Sequence, residues 1–514
     1  MDTNAEQAPA DEAAATAPLL NDLSRPVAAD AARVGIVLAA GHGKRIRSET
    51  SKMLHEIWGK PTAERVADAV EAGLDGPDQV LVVGIKAAEV ARTIGAKDGR
   101  VFAYQSNPVL GLPAGTGDAV RVGLESFAPA DGARDVYIFL GDMGLLTGEA
   151  VAQFRRAFED EACDMMVLTG TYSGTPESNY YGRIVRVPAA DRDGAPSGAD
   201  GGKVIEIKEH KDILGLPDGG HYDVEYNGRT YRFGRDELLG MNEINTGVFA
   251  FKEDRLRQHI REIGTDNAQG ELMLTDLVDI FNRNGRVVRA MVAASEEEIL
   301  AFNVKSVWRQ MEAIARRWAY ERLMDVITIV DEEDFFIADE VIAQIEALDD
   351  DIGPLDIVVG KGVYIGPGVR LNGQVHLSDG CRLDGDILLG QGVSIGANTH
   401  LSTYPGQEMR LGDGVEILSG DILKGNLSVG AGSRIESGVC MTGSDEFPMR
   451  VGEGVTIKGT TYLFGCTVDD GLLIHHCVVL RRHIEQVRRR DGTIQPIRFV
   501  LPPPEGLDSI APLA

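Results

Sequence analysis

The sequence predicts two different folds in one chain, a three-layer α/β domain followed by an all-β parallel β-helix. In the first half, apolar runs typical of buried strands, at 34–40, 79–84 and 136–140, alternate with stretches of helical composition such as 63–72, which is the order expected of an α/β sheet. In the second half, aliphatic residues recur every six positions, a period that neither a helix nor an ordinary strand has. The length of 514 residues exceeds what one core usually fills, so two or more domains are expected.

The composition indicates a globular protein with a strongly acidic charge balance. Hydrophobic residues make up 43% of the chain and charged residues 25%, and no apolar run is as long as a membrane span. The net charge of −28 argues against broad nucleic-acid binding. Residues 1–31, rich in Ala, Asp and Pro, are predicted to form a disordered tail and not a signal peptide. The five cysteines form no C-x-x-C pair, which indicates a reducing, cytoplasmic compartment and no structural metal.

The first apolar strand leads into a glycine loop that could hold phosphate. Strand 34–40 ends at Gly41 and Gly43, and glycines let backbone N–H groups approach an anion closely. Four cationic side chains follow within a few residues: Lys44, Arg45, Arg47 and Lys52. An ordinary strand-to-helix turn with solvated charges is the alternative interpretation.

Two later segments could contact the same ligand. The strand at 136–140 delivers Asp142 near its carboxyl end, where ligands of α/β sheets bind and where a carboxylate suits a hard cation such as Mg²⁺. The alternative for Asp142 is a cap on the next helix. Gln105 and the loop 115–120 offer an amide, close backbone approach and the Thr116 hydroxyl, although by itself such a loop is only a turn.

The second half carries the hexapeptide pattern of a parallel β-helix, in which the aliphatics of one coil stack on those of the next. The pattern breaks at 402–410 and near Asp445, where protruding loops are expected. Its aliphatic positions are Val359, Ile365, Leu371, Leu377, Leu383, Leu389, Ile395 and Leu401, then Leu411, Ile417, Leu423, Val429, Ile435 and Met441, then Val451, Ile457 and Leu463.

The run L-A-A-G-x-G-x-R at 38–45, followed by S-K-M-L at 51–54, resembles the signature of sugar-nucleotide pyrophosphorylases, in particular the bacterial N-acetylglucosamine-1-phosphate uridylyltransferases. Lys44 stands where that family usually has threonine, and Ser51 replaces a proline. The resemblance implies an α/β nucleotidyltransferase domain with a Rossmann-like mixed sheet in three layers, followed by a left-handed β-helix. The expected limits are a tail at 1–31, the nucleotidyltransferase domain at 32–304, a helical arm and linker at 305–350, the β-helix at 351–482 and a tail at 483–514.

The resemblance also implies roles for individual residues, carried over motif by motif. Arg45 and Lys52 are expected to be catalytic, and Asp142 and Asn303 to hold Mg²⁺. The expected nucleotide-binding residues are Leu38, Ala39, Ala40, Gly41, Gln105, Gly115 and Thr116, of which the last three would recognise uracil. The expected sugar-binding residues are Gly182, Glu209 and Asn245.

Two insertions are expected to modify this domain, at 188–202 and 214–241. The second has four aromatic residues around Asn227-Gly228, which predicts a β-hairpin flanking the pocket. The residues after it include an N-A-Q-G-E run at 267–271 that matches the family, although Leu272 and Met273 replace the tyrosines usual there.

The function implied is the formation of UDP-N-acetylglucosamine and pyrophosphate from UTP and N-acetylglucosamine 1-phosphate, a precursor step for the cell envelope. Left-handed β-helices of this family usually form trimers, so a homotrimer is expected, without nucleic-acid or membrane partners. The acetyltransferase marker of bifunctional members, an N-Y-D-G loop after a histidine, is not matched; His400 and Tyr404 are only a faint counterpart. A bifunctional enzyme, a pyrophosphorylase for another sugar nucleotide and a non-catalytic oligomeric sensor remain alternatives.

Overall fold

The computed structural model describes residues 16–41, 43–107 and 113–498, with only the main chain of Lys44 and Arg498. The chain divides into two compact units, residues 1–311 and 312–514. The predicted fold class is confirmed: the first unit is built on a mixed α/β sheet and the second on three parallel sheets of short stacked strands.

The first unit is organised by one sheet with the strand order β13-β7-β12-β6-β1-β4-β5. Strands β6, β1, β4 and β5 are mutually parallel, whereas β12 runs antiparallel between β6 and β7. The strands are β1 Arg33–Ala39, β4 Gln79–Val83, β5 Arg100–Tyr104, β6 Asp135–Leu140, β7 Met165–Thr171, β12 Glu243–Lys252 and β13 Val288–Val292, with β8 Arg183–Arg186 and β9 Val204–Lys208 attached through β12 and the two-residue pair β2 Glu56–Ile57 and β3 Lys60–Pro61 apart.

Helices cover both faces of this sheet and make the three layers. One hydrophobic core contains the inward faces of α2, α3 and α5, and the other contains those of α4, α8 and α9. The helices are α1 at residues 16–23, α2 Thr62–Leu74, α3 Ala87–Ile94, α4 Thr116–Glu125, α5 Gly148–Asp160, α6 His210–Leu214, α7 Arg235–Gly240, α8 Glu253–His259 and α9 Leu277–Arg283. The strands are apolar on both sides because both faces are covered.

The structure differs from the prediction of a disordered tail through residue 31. Residues 16–23 are helical, and Leu20 is buried in the first core. The backbone N–H of Arg25 donates to the Arg100 carbonyl at 2.7 Å, and Phe102 N–H donates to Ser24 Oγ at 2.9 Å. The segment therefore covers the exposed edge of β5, which would otherwise present unpaired backbone groups. Residues 1–15 lie outside the described part of the chain.

The predicted hairpin in the second insertion is confirmed. Strands β10 His221–Tyr226 and β11 Arg229–Gly234 pair antiparallel around Asn227 and Gly228, whose φ angles of 48° and 71° give the left-handed turn that Asn-Gly favours. The hairpin has a small core of its own with β8 and β9, which includes Val185, Tyr231 and Phe233.

The segment predicted as a helical arm and linker, 305–350, contains two helices, α10 Lys305–Leu323 and α11 Asp339–Ile352. The buried positions of α10 are Met311, Ala315, Ala319 and Leu323, a stripe at i, i+4 spacing. The two tryptophans of this helix, Trp308 and Trp318, are only half-buried. Within the described residues, no helix combines the length and apolarity needed to cross a membrane.

The second unit is a prism whose three faces are parallel sheets. The first face contains Thr328–Ile329, Val358–Val359, His376–Leu377, Ser394–Ile395, Glu416–Ile417, Arg434–Ile435, Thr456–Ile457, Leu473–His475 and Ile497–Arg498. The second contains Phe335–Ile337, Val363–Ile365, Arg382–Asp384, His400–Ser402, Ile422–Gly425, Cys440–Gly443, Tyr462–Phe464 and Val478–Leu480. The third contains Val369–Arg370, Ile387–Leu389, Met409–Leu411, Leu427–Val429, Met449–Val451, Thr467–Val468 and His483–Ile484.

The predicted hexapeptide positions form the interior of the prism. Ile365 pairs in register with Leu383, and Leu383 with Leu401, so that one aliphatic stacks on the next, and all of the predicted aliphatic positions are buried. The sheets extend past the expected limits of 351 and 482, because Thr328–Ile329 and Phe335–Ile337 add strands at one end and His483–Ile484 and Ile497–Arg498 at the other.

Candidate active site

The glycine loop after β1 lies at the carboxyl edge of the sheet and packs tightly on its neighbours. Gly141 N–H donates to the Leu38 carbonyl at 3.0 Å, so the ends of β1 and β6 are held together. Gly43 has a φ of 64°, and a Cβ there would lie 2.7 Å from Lys52 Cβ. This position therefore requires glycine, and the loop backbone lies directly against the stem of Lys52.

Three of the predicted residues meet at one point. The Lys52 ammonium pairs with Asp142 Oδ2 and donates to Asn303 Oδ1 at 2.8 Å. Lys52 and Asp142 are buried, and Asn303 is half-buried. Asp142 follows a strand end, Lys52 lies on a short turn, and Asn303 lies more than 150 residues further along the chain. The fold thus brings two oxygen donors and one cation together.

The donor set fits a divalent cation. Asp142 Oδ1 is buried and has no hydrogen-bond partner, although buried polar atoms are normally satisfied. With Asn303 Oδ1 it provides two hard oxygen donors, and magnesium is commonly held by one or two protein oxygens together with phosphates. Within the described residues, no group of three or more His, Cys, Asp or Glu side chains could hold a metal.

An aromatic cluster that sequence reasoning missed joins the two sides of this point. The His55 ring makes edge contacts with Phe302 and Trp308, at centroid distances of 6.0 and 5.1 Å. Trp308 Nε1 donates to the Glu56 carbonyl at 2.7 Å. Ser51, which replaces the usual proline, caps the turn Lys52–Leu54 by accepting from Met53 N–H. The turn that carries Lys52 is therefore fixed to the segment that carries Asn303.

Gln105 follows β5 at the same edge of the sheet, and its amide group is fixed by acceptors. Gln105 Nε2 donates to Asp118 Oδ2 at 2.8 Å and to the Gly115 carbonyl at 3.1 Å. Asp118 also accepts from Asn107 Nδ2 at 2.9 Å and from Arg121 at 2.6 Å. The structure thus brings Gln105 together with Gly115, a loop residue that was also predicted to recognise uracil.

The Gly115 loop is also bonded to the segment after the N-A-Q-G-E run. Gly117 N–H donates to the Leu272 carbonyl at 2.8 Å, and Leu274 N–H donates to Thr116 Oγ1 at 3.0 Å. A Cβ on Gly115, whose φ is 124°, would lie 2.4 Å from the Leu272 oxygen. The Thr116 hydroxyl therefore has a structural partner, and Gly115 could not be replaced without moving the backbone.

The three predicted sugar-binding residues are also neighbours. Asn245 N–H donates to the Gly182 carbonyl at 2.9 Å, and a Cβ on Gly182 would lie 3.2 Å from Glu209 Oε1. Asn245 Oδ1 accepts from Gly247 N–H at 3.0 Å, at a β-bulge in β12. Gly247 in turn lies against Leu140, two residues before Asp142, which links this group to the strand end that carries the carboxylate.

Acidic groups surround Glu209. Burial, together with the nearby Asp212 and Asp276 carboxylates, raises the pKa of Glu209 to about 6, against which a hydrogen bond from Thr275 acts. Burial and neighbouring carboxylates, Asp212 first among them, likewise raise the pKa of Asp276 to about 6. No sequence pattern groups these carboxyls, and their proximity makes this side of the edge a region where negative charge is crowded.

Arg45 is the predicted residue that the structure does not bring into contact with the others. Its side chain is exposed on the 3₁₀ turn Lys44–Ile46. Leu38, Ala39 and Ala40 are buried at the end of β1, so their backbone, not their side chains, can face a ligand. Of the other predicted site residues, Gly41, Gln105, Asp142, Gly182, Glu209 and Asn245 lie in strands of the large sheet or within two residues of their ends. Lys52, Asn303, Gly115 and Thr116 reach the same region through the contacts described above.

The sequence of this chain matches a family model and several known proteins. Residues 35–194 match the family model of the MobA-like NTP transferase domain. The chain is 33% identical over 350 residues to a bifunctional protein GlmU of Streptomyces griseus. The matched region covers 67% of this chain and 60% of that protein. It is 29% identical over 350 residues to a bifunctional protein GlmU of an Exiguobacterium species, which covers 68% of this chain and 64% of that protein.

The chain therefore spans under two thirds of the length of these two relatives. Among solved structures, it is similar to a nucleoside-diphosphate-sugar pyrophosphorylase from Vibrio cholerae, with a TM-score of 0.37 and 15% identity, over 54% of this chain and 99% of that one. The resemblance predicted from the motifs, to a nucleotidyltransferase of the GlmU kind, is confirmed by the sequence matches.

Proposed function

We propose that this chain, whose first unit is a nucleotidyltransferase domain of the GlmU kind, joins UTP and N-acetylglucosamine 1-phosphate into UDP-N-acetylglucosamine and releases pyrophosphate. The observation that carries the proposal is the meeting of Lys52, Asp142 and Asn303 beside the glycine loop. A degenerate, non-catalytic sensor would be expected to lose these charged and chelating groups first, and all three are present.

The layout of the edge matches the dimensions of a nucleoside triphosphate. Gln105, the glycine loop and Asp142 follow β5, β1 and β6, and β4 lies between β5 and β1. Three inter-strand spacings of ~4.8 Å separate β5 from β6, or about 14 Å in all. A base at Gln105 would therefore leave its phosphates at the loop and at the Lys52 cluster.

The chemistry would need positioning and charge neutralisation more than proton transfer. An oxygen of the sugar phosphate, already anionic, attacks the α-phosphorus in line; the new P–O bond forms as the bond to the β-phosphate oxygen breaks, and pyrophosphate leaves with that electron pair. A bound Mg²⁺ would supply neutralisation of phosphate charge, held by Asp142 and Asn303. The Lys52 ammonium would exchange its pairing with Asp142 for pairing with a phosphate. Arg45 would pair with the phosphates from the exposed side of the loop.

On the sugar side, Glu209 and Asn245 would bond hydroxyl and acetamido groups, and Gly182 would lend backbone. Their mutual contacts and their link to Leu140 support this arrangement. The hairpin β10–β11 contributes Tyr222, whose hydroxyl donates to Glu206 at 2.8 Å and whose ring lies 3.9 Å from Lys208 Nζ. We propose that the hairpin sets this wall of the sugar pocket, because Lys208 precedes Glu209 directly.

The test is pyrophosphate release across a panel of nucleoside triphosphates and sugar 1-phosphates with Mg²⁺. UTP with N-acetylglucosamine 1-phosphate should be the fastest pair, and Lys52→Ala and Asp142→Ala should each lower kcat by about 100-fold or more, as for other removed electrostatic contacts. Arg47→Ala, an exposed cation in the same loop, is the matched control and should change kcat little. Near-full turnover in either site variant would refute the assignments.

The same panel separates the alternatives. A faster reaction with another base or sugar would keep the reaction class and change the substrate. No release with any pair, combined with measurable nucleotide-sugar binding, would favour the sensor. Acetyl-CoA with glucosamine 1-phosphate, added as a further arm, tests whether the second unit also transfers an acetyl group.

We further propose a homotrimer formed through the second unit. One outward column of the second prism face runs through Ile422, Cys440, Tyr462 and Val478 in paired register. Ile422, Tyr462 and Val478 are each about two fifths exposed, and Leu480 is half exposed beside them. A continuous apolar stripe of this kind is typical of a surface covered by another chain.

A further inference from the structure

The amide of Gln105 can be oriented without ambiguity from its partners. Asp118 Oδ2 and the Gly115 carbonyl, which lie 2.8 and 3.1 Å from Gln105 Nε2, are both acceptors only, since a carboxylate and a peptide carbonyl carry no proton to donate. The NH₂ end of the amide must therefore face them, and both of its protons are used. Oε1 is the end left for a ligand.

Asp118 is the side chain that, together with the Gly115 carbonyl, enforces this orientation. It is 1% exposed, and its two oxygens accept from Gln105, Asn107 and Arg121. Asn107 Nδ2 donates in addition to the Pro113 carbonyl at 2.9 Å. Arg121 pairs with the other carboxylate oxygen, Asp118 Oδ1, at 2.6 Å. The two groups that contact the Gln105 amide, Asp118 Oδ2 and the Gly115 carbonyl, therefore offer it no donor.

We infer that Asp118 is a specificity-positioning residue, which makes Gln105 present an acceptor to the base and so selects a pyrimidine whose N3 carries a proton. Uracil and thymine have an N3–H that can donate to Gln105 Oε1. Cytosine has an unprotonated N3 at the same place, which would meet the glutamine oxygen lone pair to lone pair. This inference rests on the proposed function, because it takes Gln105 as the residue that meets the base.

The matched variants differ in whether Asp118 can still only accept. Asp118→Asn keeps the size of the side chain but supplies an NH₂ donor in place of the Asp118 oxygen. Only the Gly115 carbonyl then still holds the Gln105 NH₂, so that a larger share of molecules can have the Gln105 oxygen turned inward and its NH₂ toward the base. Arg121→Gln is the control: it removes the partner on the far side of Asp118, on a residue that is partly exposed, and leaves the carboxylate an acceptor. Melting curves of both variants establish that they are folded.

The experiment measures binding of UTP, CTP and N3-methyl-UTP to the full chain by calorimetry, with Mg²⁺ present. We expect the wild type and Arg121→Gln to bind UTP at least about 10-fold more tightly than either of the other two. In Asp118→Asn the ratio of the Kd for CTP to the Kd for UTP should fall about 10-fold. The affinity for N3-methyl-UTP should rise relative to the affinity for UTP.

Each outcome has a distinct meaning. No binding of any of the three nucleotides by the wild type would overturn both this inference and the proposed function. Selective UTP binding that persists in a folded Asp118→Asn variant would overturn the role of Asp118 and leave the function standing. Equal binding of UTP and N3-methyl-UTP by the wild type would overturn the acceptor role of Gln105. If Asp118→Asn does not fold, the N3-methyl comparison on the wild type still decides that role.

Discussion

The folded state disfavours the charged form of Glu209. Its pKa is raised from 4.5 to about 6 by burial and by the carboxylates of Asp212 and Asp276. A raised acid pKa means that the folded state binds the proton more tightly than the unfolded chain does. The stabilisation of the folded state by this protonated carboxyl is therefore complete below about pH 4.5 and is lost as the pH rises through about 6. Retaining so unfavourable a carboxylate beside Gly182 is understandable if the charged form accepts a sugar hydroxyl.

We expect Glu209→Gln to raise the melting temperature at pH 8 relative to the wild type, by about 2 °C or more, since one to two pKa units correspond to roughly 1–3 kcal/mol. At pH 4.5 the difference should vanish, because both side chains are then neutral. Scanning calorimetry at the two pH values provides the measurement. Glu225→Gln, on the exposed side of the hairpin, serves as the control and should shift the melting temperature equally at both. A larger gain at pH 4.5 than at pH 8 would contradict the argument.

At the scale of elements, the segment between α1 and β1 is held by one buried guanidinium. Arg134 donates to the carbonyls of Ala31 at 2.8 Å and of Ala28, Ala29 and Ala128 at up to 3.3 Å. It also forms an ion pair with Glu253 at 3.6 Å, with both side chains nearly fully buried. This set of bonds fixes residues 28–31 and thereby the chain that covers the edge of β5.

Arg134→Met should destabilise the first unit by about 3 kcal/mol, because it leaves Glu253 with only one of its cationic partners and several carbonyls without a donor. Urea unfolding measures the loss, and limited proteolysis should show new cleavage at 24–32. Arg33→Met is the matched control. Its ion pair with Glu159 is about 30% exposed on both sides, so about 1 kcal/mol or less is expected. Equal losses in the two variants would show that Arg134 is not the anchor.

Some elements of the fold could be predicted from the sequence, and the segment 16–31 could not. The hexapeptide residues were predictable because their period alone determines which side chains enter the prism, as the register Ile365–Leu383–Leu401 shows. The hairpin was predictable from Asn227-Gly228. Residues 16–31 were not, because they are held chiefly through their backbone carbonyls and N–H groups, and main-chain acceptors leave no trace in the side-chain pattern on which the prediction of disorder depended.

The candidate site divides in a similar way. Lys52, Asp142 and Asn303 were predictable because each stands in a motif with recognisable neighbours. The contacts that position them were not, since Trp308 and Glu56 are 252 residues apart in the chain and no local pattern joins them. Asp118 was visible in the loop, but its function depends on which atoms of Gln105 it faces. That is a property of three-dimensional contact and not of spacing.

At the scale of the whole molecule, assembly has to overcome charge. The chain carries a net charge of −28, and like-charged copies repel one another, more so at low salt where the Debye length is long. The stripe through Ile422, Tyr462 and Val478 offers the opposing term, because exposed apolar surface removed from water contributes about 25 cal/mol per Å². A trimer held by this stripe should therefore be salt-dependent, tightening as salt screens the repulsion while leaving apolar burial intact.

Light scattering after size exclusion should give three times the 55.3 kDa of one chain at 0.15 M salt and a growing share of monomer as salt is lowered towards 0.01 M. Ile422→Glu should shift the protein to monomer even at 0.5 M salt, because a carboxylate buried in the stripe would lose its hydration. Val330→Glu places the same change on an exposed residue of the same unit next to the first prism face and should leave the trimer intact. A wild type that is monomeric at every salt concentration, or an Ile422→Glu variant that stays trimeric, would show that this stripe does not join the subunits.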